Sequence, residues 1–228
     1  MGLLRCMSPE MAPPGDIATN VRKHSDLCRS RLAQRPTRDR LGWKSRETRL
    51  GMFNMIGLKR GTVILEKHHR EWTAAFQAEK ANLEQLAGDV ALDIQHFGST
   101  SIPGLAAKPI IDILMAVRSL RDVIKIRPAL ESAGYEYREN GSDDVQILFV
   151  KGPEVKRTHY LHITALSSSG WQNPLAFRDY LRTHPDELRR YEDLKQKLAE
   201  RYSDNRAKYT AGKKDYVDEV VTRATTTK

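Results

Sequence analysis

A hydroxyl-rich loop and one carboxylate are the residues of this chain best suited to chemistry. The loop, Gly98-Ser99-Thr100-Ser101, directly follows a strand-like run, and Asp112 lies inside the otherwise apolar run 109–115. Glycine permits a sharp turn close to a ligand, and the amides and hydroxyls of such a loop can hold phosphate oxygens. A carboxylate in a buried strand usually has a partner or a metal ion, because its desolvation is costly. We therefore expect phosphate at the loop and a metal at Asp112, with a serine-rich turn and a strand-end cap as the simpler alternatives.

A lysine and three histidines are candidates for a role at the same place. Lys108 stands at the entry to the apolar run and is either a counter-charge for phosphate or a solvated strand-end lysine. His159 and His162 lie three residues apart in a second strand-like run, so they point to opposite faces and are not expected to reach one site. One of them is a candidate metal ligand or acid–base group; one packed and one exposed histidine is the alternative. His96 is a further candidate. Because it shares a face with Ile94, a half-buried packing role is the alternative.

The elements that must position these residues alternate between strand-like and helical patterns. The patterns predict a short β-rich run at 62–66, strands at 89–97, 109–117, 146–150 and 159–165, and helices at 71–86, 120–133, 174–183, 185–202 and 205–223. The nearly continuous apolar run at 109–117 is typical of an interior strand that is buried on both faces. This order of elements predicts an α/β (α+β) fold, a mixed β-sheet flanked by helices, with a helical C-terminal region.

The distribution of charge separates the first 60 residues from the rest of the chain. Residues 1–60 hold 13 Lys and Arg against 5 Asp and Glu, a net charge of +8, whereas residues 61–228 hold 25 against 24, a net charge of +1. We expect residues 1–60 to be a basic, disordered extension and residues 61–228 to be the folded domain. A nucleic-acid-binding arm and a targeting presequence are the alternatives for the extension. Nucleic acid is not expected as a partner of the near-neutral body.

Two further features of the composition concern the location of the protein. The sequence has no run of about 18 apolar residues, so we expect no membrane partner. Cys6 and Cys28 both lie in the extension, and residues 61–228 contain no cysteine. This distribution fits a cytoplasmic location.

Several stretches together resemble the GrpB family, a family of uncharacterised proteins within the nucleotidyltransferase superfamily that is sometimes fused to dephospho-CoA kinase. The resemblance covers residues 62–226 and is strongest over HFGSTSIPGLAAKPIID at residues 96–112. It continues at RTHYLH (157–162), FRDYLR (177–182) and YTAGK (209–213). The resemblance implies a nucleotidyltransferase-like fold for this part of the chain.

The superfamily's motif is a Gly-Ser loop followed by a strand with two carboxylates one residue apart, and a third carboxylate on a later strand. These acids hold divalent metal ions for phosphoryl transfer. Gly98, Ser99 and Asp112 match the motif, but the second acidic position is Leu114, and His162 would have to replace the third acid. The chain therefore departs from the motif at two of its three metal-binding positions.

The resemblance implies metal-dependent transfer of a nucleotidyl group from a nucleoside triphosphate to a small acceptor. Asp112 and His162 would be catalytic and would bind the divalent metal, Mg²⁺ or Mn²⁺. The phosphate-binding residues would be Gly98, Ser99, Thr100, Ser101, Lys108, Arg157 and Lys213. The alternative is a catalytically degenerate module that binds a nucleotide or a CoA-like small molecule and is related to cofactor metabolism. For the other cations of the C-terminal half, including Arg206, a solvated helix face is the simpler interpretation.

Overall fold

The sheet of residues 56–226 is mixed and has five strands. The computed structural model describes these residues, so the expectations for residues 1–55, including those for Cys6 and Cys28, lie outside the described part. The strands are β1 (Asp93–Phe97), β2 (Ile111–Val117), β3 (Tyr135–Tyr137), β4 (Gln146–Lys151) and β5 (His159–Ala165). They lie in the order β1-β2-β5-β4-β3, with β2 and β5 parallel and the other neighbours antiparallel. The predicted mixed sheet is confirmed.

Six α-helices accompany the sheet between residues 56 and 226. They are α1 (Glu71–Ala87), α2 (Val123–Ser132), α3 (Ser169–Thr183), α4 (Pro185–Arg201), α5 (Arg206–Ala211) and α6 (Lys214–Thr226). The last four follow one another without an intervening strand, so the predicted helical C-terminal region is confirmed. Among the helices of this described part, none is both long and apolar enough to cross a membrane.

One face of the sheet, which we call the closed face, is covered by α1 and α2. Helix α1 presents Trp72, Phe76 and Leu83 at helical spacing, and all three are buried in the main core. Ile113 of β2 and Leu161 of β5 reach the same core from the sheet. The burial of this stripe is what holds α1 on the sheet.

The opposite face, which we call the open face, is only partly covered by the C-terminal helices. The alternation along β2 places Asp112 and Leu114 on this face, and Leu114 packs under Trp171 of α3. Ile102 and Leu105, on the connection between β1 and β2, pack in a second cluster with residues of α3, α4 and α6. Strand β2 is therefore buried on both faces, as its apolar run predicted.

The predicted β-rich run and one predicted strand differ from the structure. The run 62–66 forms no ladder, because its backbone bonds to two separate segments, at Ser203 and at Ala107. The strand predicted at 89–97 begins only at Asp93, since the preceding Gly88–Val90 form a 3-10 turn. An alternating pattern alone therefore overestimated the length of paired backbone.

Two predicted helices also differ. Helix α3 begins at Ser169, five residues before its predicted start at Pro174. The earlier start lets Trp171 pack on the open face, so tertiary contact outweighs the local preference of proline for a helix start. The helix predicted at 205–223 is divided into α5 and α6 around Gly212.

Two parts of the fold were not predicted as regular elements. Strand β3 has only three residues, too few to show an alternating pattern. At the N-terminal edge of the described part, Ile56 and Leu58 are buried, and Leu58 forms a β-bridge with Arg157. Residues 56–60 therefore pack on the body rather than apart from it.

Candidate functional site

A cleft of about 1010 Å³ lies between the open face of the sheet and the C-terminal helices. It brings together the predicted loop, the predicted aspartate and a group of cations from the C-terminal region. Side chains that line it include Ser99, Asp112, His162, Lys195, Arg206 and Lys213. The sequence places these residues up to about 115 positions apart, so the cleft is a product of the fold.

Gly98 fits the loop closely against Asp112. Its φ angle of +69° is in the region that favours glycine. A Cβ at this position would lie 2.9 Å from the Cβ of Asp112 and closer still to the carboxylate oxygen Oδ2. The glycine is therefore needed both for the turn and for the approach of the carboxylate to the loop.

The three hydroxyls of the loop have different surroundings. Ser99 lines the cleft and shares a hydrogen bond with Tyr191. Ser101 donates its hydroxyl hydrogen to the carbonyl of Gly98 at 2.7 Å, which closes the turn. Thr100 is fully buried and bonds to Nε2 of His96 at 3.0 Å. Ser99 is thus the loop hydroxyl best placed to meet a ligand.

The loop is held in place by two arginines of α3. Arg178 donates to the carbonyl of His96 at 2.8 Å, and Arg182 donates to the carbonyl of Ser101 at 2.7 Å. Arg178 is itself buried and also contacts Asp179 at 2.7 Å. These arginines fix the backbone on both sides of the turn.

His162 lies on the open face of β5, two residues beyond Tyr160, which is the register partner of Asp112. In the parallel register, Asp112 pairs with Tyr160 and Leu114 pairs with His162. Nδ1 of His162 donates to Oε1 of Gln146 at 2.9 Å, which leaves Nε2 unprotonated in the neutral ring. Burial lowers the pKa of His162, although the charge of Asp112 opposes the shift. A neutral imidazole whose other nitrogen is held by a carbonyl is typical of a metal-ligating histidine.

The other two histidines lie away from the cleft, on the closed face. His159 is buried there, and burial lowers its pKa to about 4. His96 stacks on Phe76 with ring centroids 4.7 Å apart, and burial lowers its pKa to about 3. The prediction that His159 and His162 point to opposite faces is confirmed, as is the shared face of His96 and Ile94.

A divalent metal would find few protein ligands here. Asp112 and His162 supply one carboxylate and one imidazole, and Leu114 at the second acidic position packs against Trp171. Residues 56–226 contain no group of three or more His, Cys, Asp or Glu side chains placed to hold a metal ion. Mg²⁺ commonly binds through one or two carboxylates together with substrate phosphates. The residues present therefore fit a metal only if a ligand supplies further oxygens.

Three lysines and an arginine surround Asp112. Lys108 and Lys213 lie over the ring of Tyr209, with their Nζ atoms 5.5 Å and 4.5 Å from its centroid. Lys195 is 1% exposed, and its ammonium group donates to the carbonyl of Ala106. A fourth cation, Arg206, lies over the ring of Tyr160 at 4.4 Å and donates to its hydroxyl. We call Lys108, Lys195, Lys213 and Arg206 the cation cluster.

The cation cluster is electrostatically unfavourable in the free protein. Burial lowers the pKa of Lys108 well below its ordinary value, and Arg206 and Lys213 add to the shift. Burial followed by the charge of Lys213 lowers the pKa of Lys195 to about 7. Burial also lowers the pKa of Lys213 to about 8, although Asp112 opposes the shift. An anion in the cleft would relieve this repulsion, so the site is suited to an anionic ligand.

Sequence reasoning overlooked Lys195 and discounted Arg206. A signal for Lys195 was present, because it lies on the same stripe of α4 as Leu188, Tyr191 and Leu198. A lysine on the apolar stripe of an amphipathic helix is rarely buried without a reason. For Arg206, no local pattern distinguished it from the other cations of the C-terminal half.

Two other basic residues have partners outside the cluster. Arg157 lines the cleft, but its guanidinium donates to Glu136 at 2.7 Å and to the carbonyl of Gly152 at 2.6 Å. Lys214 pairs with Asp218 on the surface of α6, as the i,i+4 spacing predicted. Arg157 is therefore less available to a ligand than Lys213.

Comparisons with known proteins agree with this architecture. The model of the GrpB protein family matches residues 62–223. Glutamate-rich protein GrpB of Alkalihalophilus pseudofirmus is 41% identical over 171 residues, which cover 73% of this chain and 98% of that protein. The crystal structure of conserved protein GrpB from Enterococcus faecalis aligns with a TM-score of 0.65 and 34% identity, over 71% of this chain and 96% of that one.

A more distant likeness is to a structure of Cid1 in complex with its short product ApU. It aligns with a TM-score of 0.42 and 15% identity, over 68% of this chain and 46% of that one. A score at this level adds nothing to the description of the cleft. The fold and site define an α+β protein with a cation-lined cleft on one face of a mixed sheet. Within that class, the chain belongs to the GrpB family.

Proposed function

We propose that the cleft binds a nucleoside triphosphate and that the protein transfers the nucleotidyl group to a small acceptor. The observation that most supports this is the convergence of Ser99, Asp112 and the cation cluster on one cleft. In such a transfer, an acceptor hydroxyl attacks the α-phosphorus, its proton is lost, and pyrophosphate leaves. The protein would be cytoplasmic, in keeping with a folded part that contains no cysteine.

The proposed roles follow from where each side chain lies. Ser99 donates a hydrogen bond to a phosphate oxygen, and Gly98 lets that phosphate approach the backbone. Lys108 and Lys213 balance the negative charge of the phosphates. In a partly buried cleft, this electrostatic stabilisation is expected to be the largest contribution to catalysis. Arg157, at the edge of the cleft, would reach a phosphate only by giving up its bonds to Glu136.

Asp112 and His162 would hold a divalent metal, Mg²⁺ or Mn²⁺, together with the phosphates. When bound, the metal supplies charge stabilisation at the transferred phosphoryl group. His162 contributes the unprotonated Nε2, which Gln146 keeps available by accepting the hydrogen of Nδ1. The nitrogen ligand favours Mn²⁺ over Mg²⁺ at such a site.

A second function is favoured by one observation. Leu114 occupies the second acidic position and is buried against Trp171, so β2 offers no second carboxylate for a second metal. The alternative is a module that binds a nucleotide or a CoA-like molecule and catalyses no transfer. This alternative keeps the cation cluster and the loop as the binding site, with Asp112 as a charge that balances them.

The two functions are separated first by ligand-dependent thermal stability. The full chain would be heated with ATP, GTP, CTP, UTP and CoA compounds, each with and without Mg²⁺ and Mn²⁺. A ligand at about 100 times its Kd stabilises the folded state by about 2.7 kcal/mol. A shift that requires both a triphosphate and a metal supports transfer, whereas a shift without metal, or one given only by CoA compounds, supports the binding module.

The decisive variant is Asp112→Asn, with Asp193→Asn as its control. Asp193 is exposed on α4, so Asp193→Asn makes the same chemical change away from the cleft. If the protein is a transferase, we expect Asp112→Asn to lower the rate of pyrophosphate release by about a hundredfold or more, because preorganised charge in the site is lost. The control should keep the full rate. Full activity of Asp112→Asn would contradict the assignment of this site.

A further inference from the structure

Lys195 is a buried member of the cation cluster that neither the family motif nor the loop accounts for. It is 1% exposed, yet it lines the cleft, and its Nζ lies 5.4 Å from the centroid of the Tyr191 ring. Among the described residues 56–226, its ammonium group donates one hydrogen bond, to the carbonyl of Ala106. An ammonium group has three hydrogens to donate, so two remain for a ligand.

The charges around Asp112 indicate how much negative charge a ligand must bring. When all are protonated, the four cations of the cluster exceed the two carboxylates that act on Lys195, Asp112 and Glu192, by two charges. One phosphate monoester carries a charge of about −1.5 to −2 near pH 7. A chain of two or more phosphates therefore brings at least the negative charge that neutralises the cluster.

We propose that Lys195 binds a phosphate of the ligand directly and that the cation cluster takes up protons as a polyphosphate enters the cleft, so that the cluster holds the ligand's charge without a divalent metal. This inference rests on the proposed function, because it takes the phosphates to lie in this cleft; since it expects binding without a metal, it agrees with the binding module rather than with metal-dependent transfer. It goes further in adding Lys195 to the site and in linking binding to pH.

The physical reason is that an anion offsets both effects that lower the pKa values of these lysines, which are burial and repulsion between the cations. Burial and Lys213 lower the pKa of Lys195 to about 7, against the opposing charges of Glu192 and Asp112. Lys213 faces Asp112 and Arg206, and its pKa is lowered to about 8. In the free protein near pH 8, Lys195 is therefore mostly neutral. A bound phosphate favours the charged form, so the amine takes a proton from solvent on binding.

A purely structural role for Lys195 must be distinguished from this one. The bond from Lys195 to Ala106, together with the bond from the Ala106 amide to Glu192 at 3.2 Å, ties α4 to the segment that precedes Lys108. A lysine that only tethered this segment would affect affinity through the position of Lys108. It would not change the number of protons taken up by the protein on binding.

The experiment is calorimetric titration of the full chain with sodium tripolyphosphate in the presence of EDTA. Repeating it in buffers of different ionisation enthalpy gives the number of protons taken up. Lys195→Met, which keeps the length of the side chain, is compared with Lys197→Met on the exposed side of the same helix. The difference between these variants cancels the protons exchanged by the ligand and any binding to the basic residues 1–55.

We expect the wild type to bind without metal and to bind about tenfold more tightly at pH 7 than at pH 8.5, as linkage requires for one lysine that titrates near 7. Lys195→Met should weaken binding about tenfold to a hundredfold, take up fewer protons and lose the share of the pH dependence that Lys195 contributes, while Lys108 and Lys213 keep theirs. Lys197→Met should match the wild type in affinity, in proton uptake and in pH dependence.

The outcomes separate this inference from the proposed function. If neither tripolyphosphate nor any nucleoside triphosphate binds, with or without metal, both fail. If binding requires Mg²⁺ or Mn²⁺ and Lys195→Met binds as the wild type does, the inference is wrong and the proposed function stands. If Lys195→Met binds without metal but takes up as many protons as the wild type, Lys195 is a tether, and the inference is again wrong.

Discussion

The two faces of the sheet treat buried charge in opposite ways. On the closed face, the buried carboxylate of Glu79 accepts hydrogen bonds from Tyr135 at 2.9 Å and from Lys151 at 2.7 Å. On the open face, four cations lie around Asp112, and Asp218, the other acid that lines the cleft, pairs with Lys214. The closed face therefore balances this charge within the fold, whereas the open face keeps an excess of positive charge. This contrast fits a closed face that contributes stability and an open face that holds our proposed anionic ligand.

The strongest test of the closed face is Glu79→Ala, compared with Glu84→Ala on the same helix. Loss of Glu79 leaves Tyr135 and Lys151 without their buried partner, and we expect it to lower the free energy of unfolding by about 2–4 kcal/mol. Glu84 is exposed and pairs with Lys80 at 3.7 Å, so its loss should cost about 0.5 kcal/mol or less. Urea denaturation at pH 7 measures both.

The same carboxylate predicts a pH dependence. Burial acts to raise the pKa of Glu79, but the bond from Lys151 and the nearby charges outweigh it and leave the pKa lowered. A carboxyl group with a lowered pKa in the folded state stabilises the protein above its ordinary pKa of 4.5, and this contribution is lost as the pH falls below that value. Equal effects of Glu79→Ala and Glu84→Ala would mean that the closed face does not depend on this pair.

On the open face, removing a buried charge should raise the free energy of unfolding rather than lower it. We expect Lys195→Met to raise the free energy of unfolding of the ligand-free protein by about 1–4 kcal/mol at pH 6.5, because it removes a buried charge and keeps an apolar side chain of similar length. The effect should shrink as the pH rises from about 7 to about 10. In that range the unfolded lysine still binds a proton that the folded one has released, so the wild type becomes more stable with pH.

Denaturation of both proteins at pH 6.5 and pH 9.5 checks this prediction, with Lys197→Met as the exposed control. A destabilised Lys195→Met at pH 6.5 would show that the bond to Ala106 outweighs the cost of burying the charge. Together with weaker polyphosphate binding, a gain in stability would mark Lys195 as a residue kept for function at a cost to the fold.

The sequence predicted one part of the cleft much better than the other. Ser99, Lys108 and Asp112 lie within a single strand–loop–strand segment, so local patterns were enough to bring them together. Lys195 and Arg206 reach the same place only because α4 and the segment after it pack over the open face. Their positions depend on the order of helix packing, which periodicity does not encode.

The fold shows the same division between local and distant information. The limits of β5 were predicted from alternation, and the mixed sheet from the order of the elements. The start of α3 was missed because Trp171 gains its burial from Leu114, which lies 57 positions earlier in the chain. The faces of the two histidines of β5 were predicted because strand alternation is a property of the backbone alone.

The finest test of the open face compares two glycines on the connection between β1 and β2. Gly98 and Gly104 both have positive φ angles, +69° and +82°, so replacing either with alanine strains the backbone by about 1–3 kcal/mol. A Cβ at Gly104 would meet nothing within 4 Å, whereas one at Gly98 would displace the carboxylate of Asp112. We expect a backbone cost in both variants but loss of ligand-induced stabilisation only in Gly98→Ala. If Gly98→Ala keeps the full ligand-induced shift, the close approach of Asp112 to the loop is not needed for binding, and the carboxylate serves the cation cluster alone.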